Sequence, residues 1–210
     1  MRIKMYQQHS ILFIFGAGGH GKVCADIAMK MNLWNEIYFV DDYVSEDEIM
    51  GVPVLNKGVS MRDFVDQADL FVAIGDNYKR ASFIRQFEGE GWNLVTLVHP
   101  SVIIGADVNI KRATVLMAKS VVNPSTAIGY GSIINTAATI DHDNNIGDYV
   151  HISPGAHLAG TVNVGDYTWI GIGASLKNNI SINRDCIIGA GSLVLRNIKE
   201  SGVYYGVPIV

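Results

Sequence analysis

Cysteine is nearly absent from this 210-residue chain: Cys24 and Cys186 are the only two. They stand far apart and show no metal-ligand spacing. That excludes a disulfide scaffold and suits a reducing cytoplasm, where thiols act as small apolar fillers. Charge is also sparse. Asp and Glu number 20 against 16 Lys and Arg, a formal net charge of −4, and no segment gathers a basic patch. Nucleic acid is therefore not the expected partner. Long apolar runs are missing too. A membrane helix needs roughly 20 apolar residues, and the start of the chain offers only a five-residue run before glycines, too short for a signal-peptide core. A soluble, cytoplasmic, globular protein of one or two domains is expected, since hydrophobic residues make up 49% and charged residues 17%.

What is present falls into two rhythms. Residues 1–99 alternate strand-like and helix-like patterns. SILFIF (10–15), EIYFVDD (36–42), DLFVAIG (69–75) and NLVTLV (93–98) read as strands. HGKVCADIAMKMN and DNYKRASFIRQFEGEG read as helices, the second with Asp76 as N-cap and Gly89 or Gly91 near its end. Such alternation predicts a small, Rossmann-like parallel sheet covered on both faces.

From residue 100 to 210 the period becomes six. Stepping from Ile104 to Val194, all sixteen positions are Ile, Leu or Val, without an insertion. Four residues after each, thirteen of fifteen positions hold Val, Ala, Ser, Thr or Cys; the exceptions are Asn144 and Ile180. Each hexad is one short strand and a corner, and three hexads make one triangular coil, with the aliphatic residue inward and the small residue beside the next corner. A left-handed parallel β-helix of roughly five coils is predicted. A β-sandwich would give irregular strand lengths and drifting phase instead.

Ionisable residues are scarce in this prism, yet Asp141-His142-Asp143 falls on one corner. His142 lies two residues past inward Ile140, at a corner, and His151 lies just before inward Ile152, so alternation turns it outward; neither faces the core. His157 holds the same slot one face onward and reads as surface. A histidine beside a carboxylate can serve as general base, because the anion stabilises the imidazolium and fixes one tautomer. Asp143 or Asp141 could be that acid. Asn144, polar at a small inward position, breaks the repeat next to the candidate base, as a functional site would.

In the first half, Gly16-Ala17-Gly18-Gly19-His20-Gly21 sits between a strand and a helix, with Asp41 and Asp42 ending the next strand. Glycines permit close backbone approach, a helix N-terminus receives phosphate and a carboxylate can hold a ribose. Fewer than a hundred residues leave little sheet for the second half of a dinucleotide, which argues against NAD. Lys22 could oppose phosphate charge or be a solvated helix lysine.

FGAGGHGKV, FVDD, VAIGDN, INTAATIDHD, VHISPGAHLAG and the closing GVPI together resemble the sialic acid O-acetyltransferase (NeuD) family of hexapeptide-repeat acyltransferases. Within it the chain is most similar to the PglD-type UDP-4-amino-sugar N-acetyltransferases of bacillosamine synthesis. The resemblance runs end to end. It implies His142 as proton acceptor, Asp143 as the acid that raises its basicity, and His151, Ile172 and Ala190 as contacts of acetyl-CoA. It further implies that Gly18, Gly19 and His20 hold the diphosphate or sugar of a UDP-amino sugar. Asp41 and Asp42 would contact the nucleoside, and Gly75 and Asn77 would line the same cleft. The family works as homotrimers without a metal or membrane anchor, with the transfer site between neighbouring prisms. Asp76 after Gly75 departs from the expected pattern. Two further readings stay open: a sugar hydroxyl or a GDP-linked amine as acceptor, and a zinc lyase like the γ-class carbonic anhydrases, for which His142, His151 and His157 are too closely spaced. No acyl-enzyme is expected, because Cys186 falls at an inward position and Cys24 in the first helix.

Overall fold

The computed structural model describes residues 9–55 and 61–209. The first eight residues, part of the segment weighed above as a signal peptide, lie outside the described residues. Among the described residues no helix is long and apolar enough to cross a membrane. The chain divides into two compact units that meet in sequence at Pro100 and Ser101.

In the first unit β1 (Ile11–Phe15), β2 (Glu36–Val40), β4 (Val52–Leu55), β5 (Ala68–Val72) and β6 (Asn93–Leu94) run parallel, and β3 (Glu48–Ile49) pairs antiparallel with β4. Their order is β3-β4-β2-β1-β5-β6. Helix α1 (Gly19–Met31) follows β1, and α2 (Asn77–Gly89) follows β5. Leu12, Phe13, Ile14, Leu70 and Phe71 are buried because the sheet is covered on both faces. Three details depart from the expectation. The β3–β4 hairpin was not foreseen, since VSEDEIMGVPVL carries no clear alternation. The predicted strand at 93–98 is broken into Asn93–Leu94 and Leu97–Val98. Strands β2 and β5 end before the residues that follow them, freeing Asp41, Asp42 and Gly75 for loops. Asp76 caps α2 through a bond from Lys79 N to its Oδ1 (2.8 Å).

The second unit is a three-sided, left-handed parallel β-helix. Its first face carries Val115–Leu116, Ile133–Ile134, His151–Ile152, Trp169–Ile170, Cys186–Ile188 and Gly202–Tyr204. The second carries Ile103–Ile104, Val121–Val122, Thr139–Ile140, His157–Leu158, Ser175–Leu176 and Leu193–Val194. The third carries Asn109–Ile110, Ala127–Ile128, Asn145–Ile146, Asn163–Val164 and Ser181–Ile182. Strands eighteen residues apart pair in register, as His151 does with Ile133 and Trp169. Fourteen of the sixteen aliphatic positions, Leu116 to Val194, are buried; Ile104 and Ile110, in the first coil, are only partly covered. Each such side chain contributes about 1.5–3 kcal/mol on burial.

Every corner adopts a left-handed residue three positions after the aliphatic one. All fifteen positions from Asp107 to Gly191 at this spacing have positive φ, and only four of them are glycine. The corner is a type II turn, in which the second central residue must take positive φ and proline suits the first, as at Pro124 and Pro154. The small buried position that follows is a hydrogen-bonding ladder as well as a gap. The side chains of Thr114, Thr126, Ser132, Asn144 and Thr168 donate to the carbonyls of Gly129, Asp141, Gly147, Ala159 and Asn183, respectively, at 2.9–3.0 Å. All five of those side chains also accept the backbone N–H eighteen residues on: Thr114 from Ser132, Thr126 more weakly from Asn144 (3.4 Å), Ser132 from Val150, Asn144 from Val162, and Thr168 from Cys186. Asn144 thus extends the ladder; the expectation that it breaks the repeat is corrected.

Candidate active site

His142 and Asp143 are the two central residues of the turn joining the second face to the third. Asp143 has φ +58°, a conformation that Asp and Asn tolerate better than other residues with side chains. The turn sets their side chains side by side, and His142 Nδ1 lies 2.7 Å from Asp143 Oδ2. A carboxylate only accepts, so in the neutral ring Nδ1 carries the hydrogen and Nε2 keeps its lone pair. The His142 side chain is 57% exposed. Its pKa is raised above the ordinary histidine value, chiefly by the bond to Asp143.

The backbone beneath the pair is fixed from three sides. Asn144 Nδ2 donates to the carbonyls of Asp141 (2.6 Å) and Ala159 (3.0 Å) and, more weakly, to that of His142 (3.3 Å). The N–H of Thr161, one coil on, donates to His142 O at 2.9 Å. Asp141 is mainly a brace: its Oδ1 accepts from Asn123 Nδ2 and from His142 N, both at 2.8 Å, and its charge adds a smaller upward push to the His142 pKa. Those bonds, that from Asn123 first, hold its carboxyl below the usual carboxylate range.

His151 differs from the expectation. It occupies an outward slot of the first face but is buried, with 8% exposure. Trp169, its in-register neighbour, stacks on it with ring centroids 5.4 Å apart and planes 6° from parallel. Trp169 is itself tied to Ser153 Oγ through Nε1 (2.7 Å). Asn135 Nδ2 lies 3.0 Å from His151 Nε2, and its Oδ1 accepts from Thr136 N (2.8 Å), which fixes the amide orientation. Nε2 of His151 therefore accepts, and Nδ1 carries the hydrogen. Trp169 and Asn135 were missed by sequence reasoning, although hexad spacing alone puts positions 151 and 169 in register. His157 is exposed, with Nδ1 2.8 Å from Thr139 Oγ1.

Within one chain these groups lie on different sides of the prism. The turn bearing His142 joins the second and third faces and is thus the edge opposite the first face, which bears His151. Ile172 and Ala190, both exposed, lie one coil apart on the edge between first and second faces. The turn pairs them vertically, with Gly191 N donating to Ile172 O at 2.7 Å. His142, His151 and His157 also point from different sides, so the three imidazoles of one chain do not converge on a single ion. Among the described residues no group of three or more His, Cys, Asp or Glu is placed to hold a metal.

The first unit has its own site at the C-terminal ends of its strands, where open α/β sheets bind ligands. A cavity of about 730 Å³ is lined by Gly16, Asp41, Asp42, Tyr43, Ile74 and Lys79, with Phe15, Val40, Leu55, Met61, Ser82 and Phe83 completing it. Gly16 (φ +104°) and Gly21, whose added Cβ would run into the Gly16 carbonyl, are glycines for reasons of this chain's own packing. At Gly18, Gly19 and Gly75 a Cβ would meet nothing within 4 Å, so the open space there is available to a ligand. Asp41 has a structural duty: its Oδ2 accepts from Ala17 N and its Oδ1 from Tyr43 N, each at 2.9 Å, bracing the glycine loop. Asn77 Oδ1 accepts from Arg80 (2.7 Å), whose guanidinium also donates to the carbonyls of Ile74 and Gly75. Arg80 is 1% exposed and holds the β5–α2 loop; in the sequence it looks like a solvated helix cation. His20 lies 3.7 Å from Cys24 Sγ. Burial first, and the Arg80 charge second, depress its pKa from 6.5 to about 4, so the ring is neutral near pH 7 in the free protein. Burial pushes the Cys24 thiol far up, which leaves it inert.

Comparison with known proteins agrees with both units. The PglD N-terminal domain family matches residues 11–87, and the bacterial transferase hexapeptide (six repeats) family matches residues 161–196. The acetyltransferase domain of PglB from Neisseria gonorrhoeae FA1090, solved also with acetyl coenzyme A, is 34% identical. It superposes with a TM-score of 0.91 over 96% of this chain and 99% of its own. A histidine variant of perosamine N-acetyltransferase from Caulobacter crescentus, in complex with CoA and GDP-perosamine, is 33% identical with a TM-score of 0.89 and 95% coverage of both chains. GDP-perosamine N-acetyltransferase of Escherichia coli O157:H7 is 28% identical over 154 residues, 71% of this chain and 70% of that protein. With a strand–glycine-loop–helix unit, an unbroken hexad prism and a third of its residues shared over nearly the whole length of such relatives, the chain belongs to the PglD-like family of hexapeptide acetyltransferases.

Proposed function

We propose that this acetyltransferase moves the acetyl group of acetyl-CoA to the 4-amino group of a UDP-linked amino-deoxy sugar, with His142 as general base. The observation that carries this reading is the His142–Asp143 pair, which leaves Nε2 as an exposed acceptor on a rigid corner. The neutral sugar amine attacks the thioester carbonyl carbon. As the C–N bond forms, Nε2 of His142 takes a proton from nitrogen; the C–S bond then breaks and CoA leaves as thiolate. Asp143 holds the ring and stabilises the imidazolium.

Acetyl-CoA is assigned to the side of the prism bearing His151, Ile172 and Ala190, where Trp169, Ile172 and Ile187 are substantially exposed apolar groups. Because His142 lies on the opposite edge, one molecule cannot bring it to the same thioester. The reading therefore requires a neighbouring copy, and a closed ring of three identical chains satisfies every such contact. The cavity beside Asp41 and Asp42 is assigned to the nucleoside, and Gly18, Gly19 and neutral His20 to the diphosphate or sugar, with Gly75 and Asn77 at its margin. The reaction is placed in the cytoplasm, where acetyl-CoA and reduced thiols coexist. A second reading, with a GDP-linked amine, is favoured by one relative named GDP-perosamine N-acetyltransferase and another solved in complex with CoA and GDP-perosamine.

The test is an assay of the purified protein with acetyl-CoA against UDP- and GDP-linked 4-amino sugars and free sialic acid. Rapid CoA release with a UDP-4-amino sugar is expected, and His142→Ala should lower kcat by about 10²–10⁴-fold. Turnover confined to the GDP sugar would move the assignment to the second reading, and turnover with sialic acid alone would refute N-acetylation.

A further inference from the structure

We propose that Gly160 is a positioning residue: its missing side chain is the slot in which the His142 imidazole lies. Gly160 falls one coil beyond His142 at the same corner, the column running Pro124, His142, Gly160, Asn178. Its φ is not positive, so the backbone there would accept any residue. A Cβ at Gly160 would stand 2.6 Å from His142 Cε1, 2.7 Å from Nε2 and 3.2 Å from Nδ1. All three nearest atoms belong to the imidazole. The contrast with other glycines of the prism decides the reading. At Gly105, Gly129, Gly165 and Gly171 the nearest atoms are backbone of the next coil, and a methyl would strain the coil itself. At Gly160 a methyl would displace only the end of a side chain.

The backbone of His142 cannot follow that displacement, because Thr161 N and Asn144 Nδ2 both hold its carbonyl. The ring must rotate instead. Rotation carries Nδ1 away from Asp143 Oδ2 and breaks the 2.7 Å bond on which the orientation and the raised basicity of the ring depend. Gly160 and Asp143 thus grip the imidazole from two directions, one by shape and one by charge. This inference rests on His142 being the base, and the experiment separates the two.

The test is Gly160→Ala, alone and in a His142→Ala background. His142 is titrated by NMR with labelled histidine, and melting temperature and kinetics are measured alongside. The fold and assembly should survive. The His142 midpoint should fall toward that of an ordinary histidine, and kcat should drop about 10–100-fold, as expected for a misplaced catalytic group. Any loss of melting temperature seen in Gly160→Ala should vanish in the double variant, where the ring that the methyl strikes is gone. An unmoved His142 midpoint would overturn the proposal, as would an equal stability loss in both backgrounds. A rise in KM for acetyl-CoA with the midpoint unmoved would also overturn it, by showing that the methyl meets the coenzyme and not the ring. A shifted midpoint with undiminished turnover would uphold the positioning role and refute His142 as base.

Discussion

Replacing Asn144 tests whether the core ladder is what holds the catalytic corner. Asn144 is 2% exposed and serves two backbone groups for which no other hydrogen bond is described, accepting from the buried Val162 N (3.1 Å) and donating to the half-buried Ala159 O (3.0 Å). Alanine would leave Val162 N unmet, at about 1–3 kcal/mol, and give up the bond to the half-buried Ala159 O at about 1 kcal/mol, so Asn144→Ala should cost about 2–4 kcal/mol. Against a typical stability of about 5–15 kcal/mol that is a large share. Threonine is the informative comparison. Thr126, one coil earlier, donates to Asp141 O and receives the weak bond from Asn144 N. Asn144→Thr should therefore restore both bonds. The remaining carbonyls keep partners: Asp141 O has Thr126, and His142 O has Thr161 N. Urea unfolding should place Asn144→Thr within about 1 kcal/mol of wild type. A threonine variant as unstable as the alanine one, or an alanine variant indistinguishable from wild type, would refute the ladder account.

Asp143→Asn removes the anion that raises the pKa of His142. The acid limb of the kcat/KM profile should then move to lower pH, and the plateau should fall by about 10–100-fold as the base weakens; a limb that stays in place would deny the pairing. His20 supplies the opposite sign for stability. Its folded pKa of about 4 lies below the unfolded 6.5, so the unfolded chain takes up the proton first and stability falls as pH drops through that window. The loss, discounted for partial exposure, is about 1–3 kcal/mol; His20→Gln should flatten the unfolding free energy between those pH values, and an unchanged slope would contradict the burial effect.

Much of this molecule is written in its hexads. Inward aliphatic residues repeat without a gap because every coil meets the same core, so face, edge and register follow from counting by six and eighteen. The positive-φ corner residue is invisible to that count, since the turn imposes the conformation on Asp107, Tyr149 and Thr161 as readily as on glycine. Hydrophobic periodicity likewise shows that position 144 is small and inward but says nothing of the carbonyls waiting there. His151 reads as outward, correctly, yet its burial depends on Trp169, a partner eighteen residues away. In the first unit the glycine loop and Asp41 stand out, whereas the bond that ties Asp41 to Ala17 N of the glycine loop, beside its local bond from Tyr43 N, emerges only when the two loops are folded together. Arg80 is the clearest miss: nothing in KRASFIRQ distinguishes the lysine on the surface from the arginine drawn under the β5–α2 loop.

The central claim is that His142 and the acetyl-CoA side of the prism work together only when they belong to different copies of the chain. Two inactive variants, His142→Ala and His151→Ala, should be unfolded, mixed in equal amounts and refolded together. If transfer occurs between copies, random mixing gives one intact pairing in four, and about a quarter of wild-type activity should return. Activity that stays at the level of the separate variants, with mixed assemblies demonstrated, would contradict a site shared between chains.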